Sequence, residues 1–191
     1  MTTRAIRPGV LALMLLTSGC LQPPLRVAAW IVEWRDAHLT SAIESLDLSD
    51  RVLTEIDFFR FHFDPEGNLS AARPLTPAHR SLARVAAERG ILRLATVVND
   101  TVGRDRRAIR LKDPAVVHRI LRDPARRQSL VADLRSLVGR GGYDGIDVDF
   151  EKLYARDRDA FSAFIAELAP AVHARGGRLV VTVHPRLRDE E

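Results

Sequence analysis

The chain has one cysteine in 191 residues, so no intramolecular disulfide can form, and a zinc knuckle or thiolate cluster is excluded because each needs several thiols. Aromatic residues make up only 6%. The longest purely apolar stretch, residues 10–16, falls far short of the roughly 20 residues that a spanning helix needs. Glycine is missing where a dinucleotide-binding fold would require it, since the first strand-like run is followed by Trp34-Arg35-Asp36-Ala37 rather than a glycine-rich turn. Lysine is nearly absent too. Arginine supplies 27 of the 29 basic residues, and these are scattered among 25 acids to a net charge of +4. A nucleic-acid protein concentrates its charge on one face or tail, and no such concentration is evident, so no nucleic-acid partner is expected. What remains is 46% hydrophobic residues, enough for one domain with a core that needs no covalent staples.

The first 20 residues read as an export segment. Arg4 and Arg7 precede the apolar run, and the small residues Thr17, Ser18 and Gly19 lead to Cys20. A lone cysteine at that place resembles the bacterial lipoprotein signal, which implies removal of residues 1–19, lipidation of Cys20 and a cell-envelope location, with the membrane met through the lipid only. Residues 20–26, with Pro23 and Pro24, read as a tether, and 27–191 as the folded domain.

Five strand-like runs follow, at residues 27–34, 53–63, 91–98, 143–151 and 178–184. Helical patterns lie between them. Thr76-Pro77, Asp113-Pro114 and Asp123-Pro124 each offer a side-chain cap followed by proline at the first helical position. Leu130, Leu134 and Val138 form one apolar stripe, and Phe161, Phe164, Leu168 and Val172 another. Residues 36–50 predict a weaker helix, and 99–112 a long loop. Strand alternating with helix means parallel strands with right-handed crossovers, a pattern that fits an open doubly wound α/β sheet or a closed eight-stranded barrel.

The informative segment is Asp144-Gly145-Ile146-Asp147-Val148-Asp149-Phe150-Glu151. On a strand, Asp147, Asp149 and Glu151 share one face while Ile146, Val148 and Phe150 share the other. Three carboxylates about 7 Å apart in a covered sheet resist full ionisation, so at least one is expected to hold a proton near neutral pH, as a general acid must. A calcium or magnesium site is the competing reading, but such sites draw ligands from turns rather than from three positions on one extended strand. No metal or cofactor is expected.

With Tyr143 before it, this segment resembles the signature Asp-Gly-x-Asp-x-Asp-x-Glu of glycoside hydrolase family 18. The resemblance spans about residues 27–185 and is strongest from 113 onward, where the chain looks like the family's bacterial cell-wall branch. It implies a (β/α)8 TIM barrel and hydrolysis of β-linked glycans bearing N-acetylglucosamine, namely chitin, chito-oligosaccharides or peptidoglycan, assisted by the substrate's own acetamido group. Glu151 would be the general acid, and Asp149 would orient and stabilise the acetamido group. Asp147 would share a proton with Asp149, and Asp144 would brace the strand end. Where the family often carries Ser-x-Gly-Gly on its third strand, this chain reads Thr96-Val97-Val98-Asn99.

A full barrel takes about 250 residues, so five strand-helix units in about 170 predict a partial barrel, unstable or associated and nearly inactive by itself. Barrel sites gather at the C-terminal ends of strands, which nominates Trp34, Phe61, Asn99, Asp100 and His184 as substrate contacts, with Trp34 foremost for stacking on a sugar. A noncatalytic glycan-binding protein on the same scaffold is the alternative.

Overall fold

A computed structural model describes residues 25–32, 35–48, 52–139 and 141–183. Cys20, Trp34 and His184 lie outside these residues, as does the export segment. The elements run β1 (Ala28–Val32), α1 (Asp36–Leu48), β2 (Glu55–Phe63), β3 (Leu69–Ala71), α2 (Pro77–Glu88), β4 (Leu92–Val102), β5 (Ala108–Arg110), α3 (Pro114–Arg122), α4 (Pro124–Leu137), β6 (Gly145–Asp149), α5 (Arg158–His173) and β7 (Arg178–Val181). Five parallel strands pair in the order β1-β2-β4-β6-β7, so every expected strand is present and the chain is α/β. All three expected caps form: Thr76 accepts from the His79 N–H, Asp113 from that of Ala115 and Asp123 from that of Ala125. Proline follows each at a position whose N–H would have had no partner.

The outer face of the sheet is hydrocarbon. Ile56 and Phe58 meet Leu39, Leu46, Leu82 and Ala86 of α1 and α2 in one cluster. Val97, Ile146, Val148 and Phe150 meet α3, α4 and α5 in another, where Leu134, Phe164, Leu168 and Val172 are fully buried. Tyr143 touches both clusters.

The inner face shows how far the sheet is rolled. Trp30 on β1 donates Nε1–H to Asp147 on β6 at 3.2 Å. Three strand spacings separate β1 from β6, about 14 Å on a flat sheet, so the bond exists only because the sheet curls. The ion pair of Glu55 on β2 with Arg178 on β7, at 2.8 Å, makes the same point lower in the interior. Among the described residues the sheet does not close: β1 and β7 end the path, and the arrangement is four strand-helix units and a fifth strand of a (β/α)8 barrel. Gly145 is fixed by this crowding, because a Cβ there would come within 2.3 Å of the Arg178 carbonyl oxygen.

The expected loop at 99–112 is instead a hairpin. β4 runs on to Val102 and β5 returns antiparallel to it, with Gly103 and Arg107 closing the turn. A three-residue strand is too short to show a period in the sequence. The antiparallel β3 beside the end of β2 was missed for the same reason. β2 also bulges: Phe59 and Phe61 oppose the consecutive residues Thr96 and Val97, leaving Arg60 as the extra residue.

Candidate active site

β6 carries the acidic row because its alternation places apolar residues under the helices and acids on the concave side. Asp147 is completely buried and accepts from three donors: Trp30 Nε1 and Thr96 Oγ1 on Oδ2, at 3.2 and 3.1 Å, and Thr182 Oγ1 on Oδ1 at 3.0 Å. Thr96 thus supplies a hydroxyl from the position where the Ser-x-Gly-Gly pattern begins. Asp149, also buried, lies opposite Val98 in the register, one step nearer the C-terminal end.

Glu151 follows the strand and is gripped from two directions. Asn99 takes both polar groups of its backbone, accepting from the Glu151 N–H at 2.9 Å and donating Nδ2–H to its carbonyl at 2.8 Å. Lys112 places its ammonium on Oε2 of the carboxylate. Lys112 itself sits in the left-handed region at φ 51°, uncommon for a residue with a Cβ. Its N–H donates to Asp100 Oδ1 at 2.8 Å, the next N–H, of Asp113, donates to the Asn99 carbonyl at 2.7 Å, and Thr101 Oγ1 donates to Asp113 Oδ2 at 2.9 Å. The end of β4 therefore holds the acid with one residue and its cationic partner with the next two.

Beyond Glu151 the chain is pinned to α3. Asp157, 1% exposed, bonds His118 Nδ1 at 2.8 Å and accepts from Arg122 Nε at 3.1 Å. Burial works to raise its carboxyl, but the bonds and charges of His118 and Arg122 outweigh it and hold the group below the usual range. Deeper in the interior, Asp57 is pushed up to about 7, first by burial, then by the charges of Glu55 and Asp147, with Arg178 opposing. A carboxyl pushed up to near neutrality is therefore present on Asp57 of β2, a residue outside the expected row.

Asp144, just ahead of β6, lies seven residues before Glu151, roughly 20 Å along extended chain, with its carboxylate bidentate on Arg93 at 2.8 and 3.0 Å. It braces the N-terminal end of the strand. Phe61, an expected sugar contact, packs in the helix-facing core edge-on to Tyr143 at 5.8 Å and also borders the cleft over the ends of β2 and β4. Asn99, another expected substrate contact, is 1% exposed, with its side-chain amide bonded to the Glu151 backbone. Asp100 borders a cleft of about 690 Å³ that opens beside the row over the ends of β2 and β4. Arg60, His62, Arg73, Arg106 and Leu111 line it as well. Burial lowers the His62 imidazole against the opposing pull of Asp100 and Asp64, so the ring enters the cleft neutral. Lys112, Trp30, Thr182 and Asp57 were not foreseen. Lys112 is one of only two lysines in an arginine-rich chain, a compositional signal that could have marked it.

No family model matches the sequence. A class V chitinase from Pseudomonas fluorescens Pf-5 superposes with a TM-score of 0.71 at 29% identity, over 87% of this chain and 47% of that one. A Bacillus subtilis protein named as a sporulation-specific glycosylase, YdhD, is 32% identical over 136 residues, 71% of this chain and 30% of the relative. The Bacillus megaterium spore cortex-lytic enzyme SleL shares the fold, with a TM-score of 0.68 at 19% identity over 86% of this chain and 35% of that one. The chain thus spans less than half the length of each of these relatives, and over that span it is similar to chitinases and to spore glycosylases.

Proposed function

We propose that this chain is the acid-bearing part of a glycoside hydrolase that cleaves β-linked N-acetylglucosamine-containing glycans, chitin or peptidoglycan, with retention and with the substrate's acetamido group as nucleophile. The observation that carries the reading is the acidic row: Asp147, Asp149 and Glu151 ascend the concave side of the fourth parallel strand, and Glu151 is held by its backbone so that its carboxyl stands at the C-terminal end. In the first step Glu151 gives its proton to the glycosidic oxygen as the acetamido carbonyl oxygen attacks the anomeric carbon. The C–O bond to the leaving sugar breaks and an oxazolinium forms. Asp149 holds the acetamido N–H and offsets the positive charge. In the second step Glu151, now a carboxylate, takes a proton from the water that opens the oxazolinium. Asp147 is the fixed base of the row; Oδ1 accepts one bond, from Thr182, and has a lone pair for a proton held by Asp149.

Lys112 bears on both steps. Its ammonium suits the carboxylate present after proton transfer and must yield before Glu151 is protonated for the next cycle. Export, removal of residues 1–19 and lipidation at Cys20 complete the proposal, with residues 27–191 as the barrel portion. Mass spectrometry of the mature protein checks the anchor: an unmodified Cys20 on a protein released to the medium would refute it.

The chemistry is tested with a soluble acetylated oligosaccharide and its analogue deacetylated at the cleavage position. Hydrolysis of the first only is expected, and Glu151→Gln should lower turnover about 100-fold or more with binding retained. Equal cleavage of the two substrates would exclude acetamido assistance. Binding with no hydrolysis by the unaltered protein would favour the noncatalytic glycan-binding alternative.

A further inference from the structure

The acids of the row are held in different ways. Asp147 accepts from three neutral donors, on Trp30, Thr96 and Thr182. Asp144 meets a guanidinium, with the Arg93 fork on both of its oxygens. Glu151 meets an ammonium, and the bond from Lys112 goes to one oxygen, Oε2. Arginine is the ordinary cation of this chain, at 27 of 29 basic positions, and Arg127 grips Glu167 with the same kind of fork at 2.9 to 3.1 Å. A fork fixes both oxygens of a carboxylate in one geometry, whereas an ammonium on a flexible stem holds one. The lysine therefore stands at the carboxyl that gives up and regains a proton in each cycle.

The backbone makes this placement repeatable. Lys112 is in the left-handed region at φ 51°, and the bonds of its N–H to Asp100 and of the Asp113 N–H to Asn99 tie that turn to the end of β4. Asn99 also holds the Glu151 backbone by both of its polar groups. Acid and cation are thus both set from two consecutive residues, Asn99 and Asp100. The Lys112 side chain is 43% exposed and that of Glu151 14%, so water screens the pair only in part.

An ammonium attracts a neutral carboxyl weakly and a carboxylate strongly. In the first step, negative charge builds on Glu151 as its proton passes to the glycosidic oxygen, beside the buried Asp147 and Asp149 of the same row. The pull of Lys112 is therefore stronger in the transition state than before it, which is the condition for accelerating a step rather than only binding. We propose that Lys112 is a positioning residue for this proton transfer: acting through Oε2 of Glu151, it offsets the carboxylate charge that forms as the leaving sugar is protonated. This rests on the hydrolase reading above and adds a dependence on the leaving group. A sugar must be protonated to depart, while an activated phenol leaves as its anion and asks little of the acid.

The test compares kcat/KM of the full chain for two uncharged substrates, chitotetraose and 4-nitrophenyl chitobioside. Lys112→Met should lower the value about 30-fold for chitotetraose, with KM little changed, and only about twofold for the aryl glycoside. Lys112→Gln, which keeps a hydrogen-bonding group without the charge, should behave like Lys112→Met. Lys112→Arg restores the charge but brings a fork, and should recover part of the loss. Circular dichroism and the urea midpoint should be shared by all four proteins, since none of the replacements suits φ 51° better than lysine does. Equal losses for the two substrates, no loss for either, or a Lys112→Gln protein as active as Lys112→Arg overturns the role of Lys112 and leaves the hydrolase reading standing. Hydrolysis of neither substrate by the unaltered chain overturns both.

Discussion

The two faces of one sheet contrast sharply. The outer face buries Ile56, Phe58, Val97, Ile146 and Val148 against five helices, and its energy is hydrophobic and spread over many contacts. The inner face buries Glu55, Asp57, Thr96, Asp147 and Asp149, and is held by single bonds that span the curl from β1 to β6 and from β2 to β7. Stability therefore resides mainly outside and chemistry inside, and substitutions on the two faces should separate accordingly.

The largest effect on folding is expected outside. Leu168→Ala empties a fully buried position between α5 and the sheet and should cost about 4 kcal/mol, read as a lowered midpoint in urea unfolding. An unchanged midpoint would mean that this face is not the main source of stability.

Asp57 provides the inner counterpart through pH. Its carboxyl keeps its proton to about 7 in the folded state but releases it near 3.8 when unfolded. Between those values the folded chain binds more protons, so Asp57 lowers stability as pH rises through the window, by on the order of 4 kcal/mol at most. Asp57→Asn should flatten that slope and leave a more stable protein at pH 8, as seen in denaturation midpoints collected from pH 4 to 8.

A smaller effect attaches to Asn99. Asn99→Ala removes both bonds to the Glu151 backbone and should cost about 2 kcal/mol of stability. Turnover should fall about tenfold with little change in KM, since the acid is loosened and the sugar contacts are not. The least effect is expected from Asp157. Its carboxylate is held below its unfolded value, so it contributes stability above about pH 4 that is lost as pH falls through the folded value. Asp157→Asn should weaken the protein at neutral pH by about 1 to 2 kcal/mol and bring its acid unfolding curve closer to that of the unaltered chain at the lowest pH.

The outer face was readable because it repeats: apolar residues at strand and helix periods, with Thr76, Asp113 and Asp123 capping proline-initiated helices, specify local structure without reference to the rest of the chain. The row from Asp144 to Glu151 was readable as a pattern, but the partners of its acids were not. Asp144 pairs with Arg93, 51 residues away in the chain, and the carboxyl that burial and the charges of Glu55 and Asp147 push up to about 7 belongs to Asp57, on another strand. The core packing of Phe61 was not legible because one extra residue at Arg60 inverts the facing of the strand beyond it. The bonds of Asn99 to the Glu151 backbone and the pairing of Lys112 with its carboxylate were not legible because backbone bonds and a left-handed residue leave no periodic trace.

The bond from Trp30 to Asp147 has an optical consequence. The chain has only two tryptophans, and one of them donates its indole N–H to the buried acid at the base of the row across the rolled sheet. Indole emission responds to the charge at that nitrogen and to the water around it. In a Trp34→Phe background, the fluorescence of Trp30 becomes a built-in gauge of the sheet's curl and of events at the row, readable without label or substrate turnover.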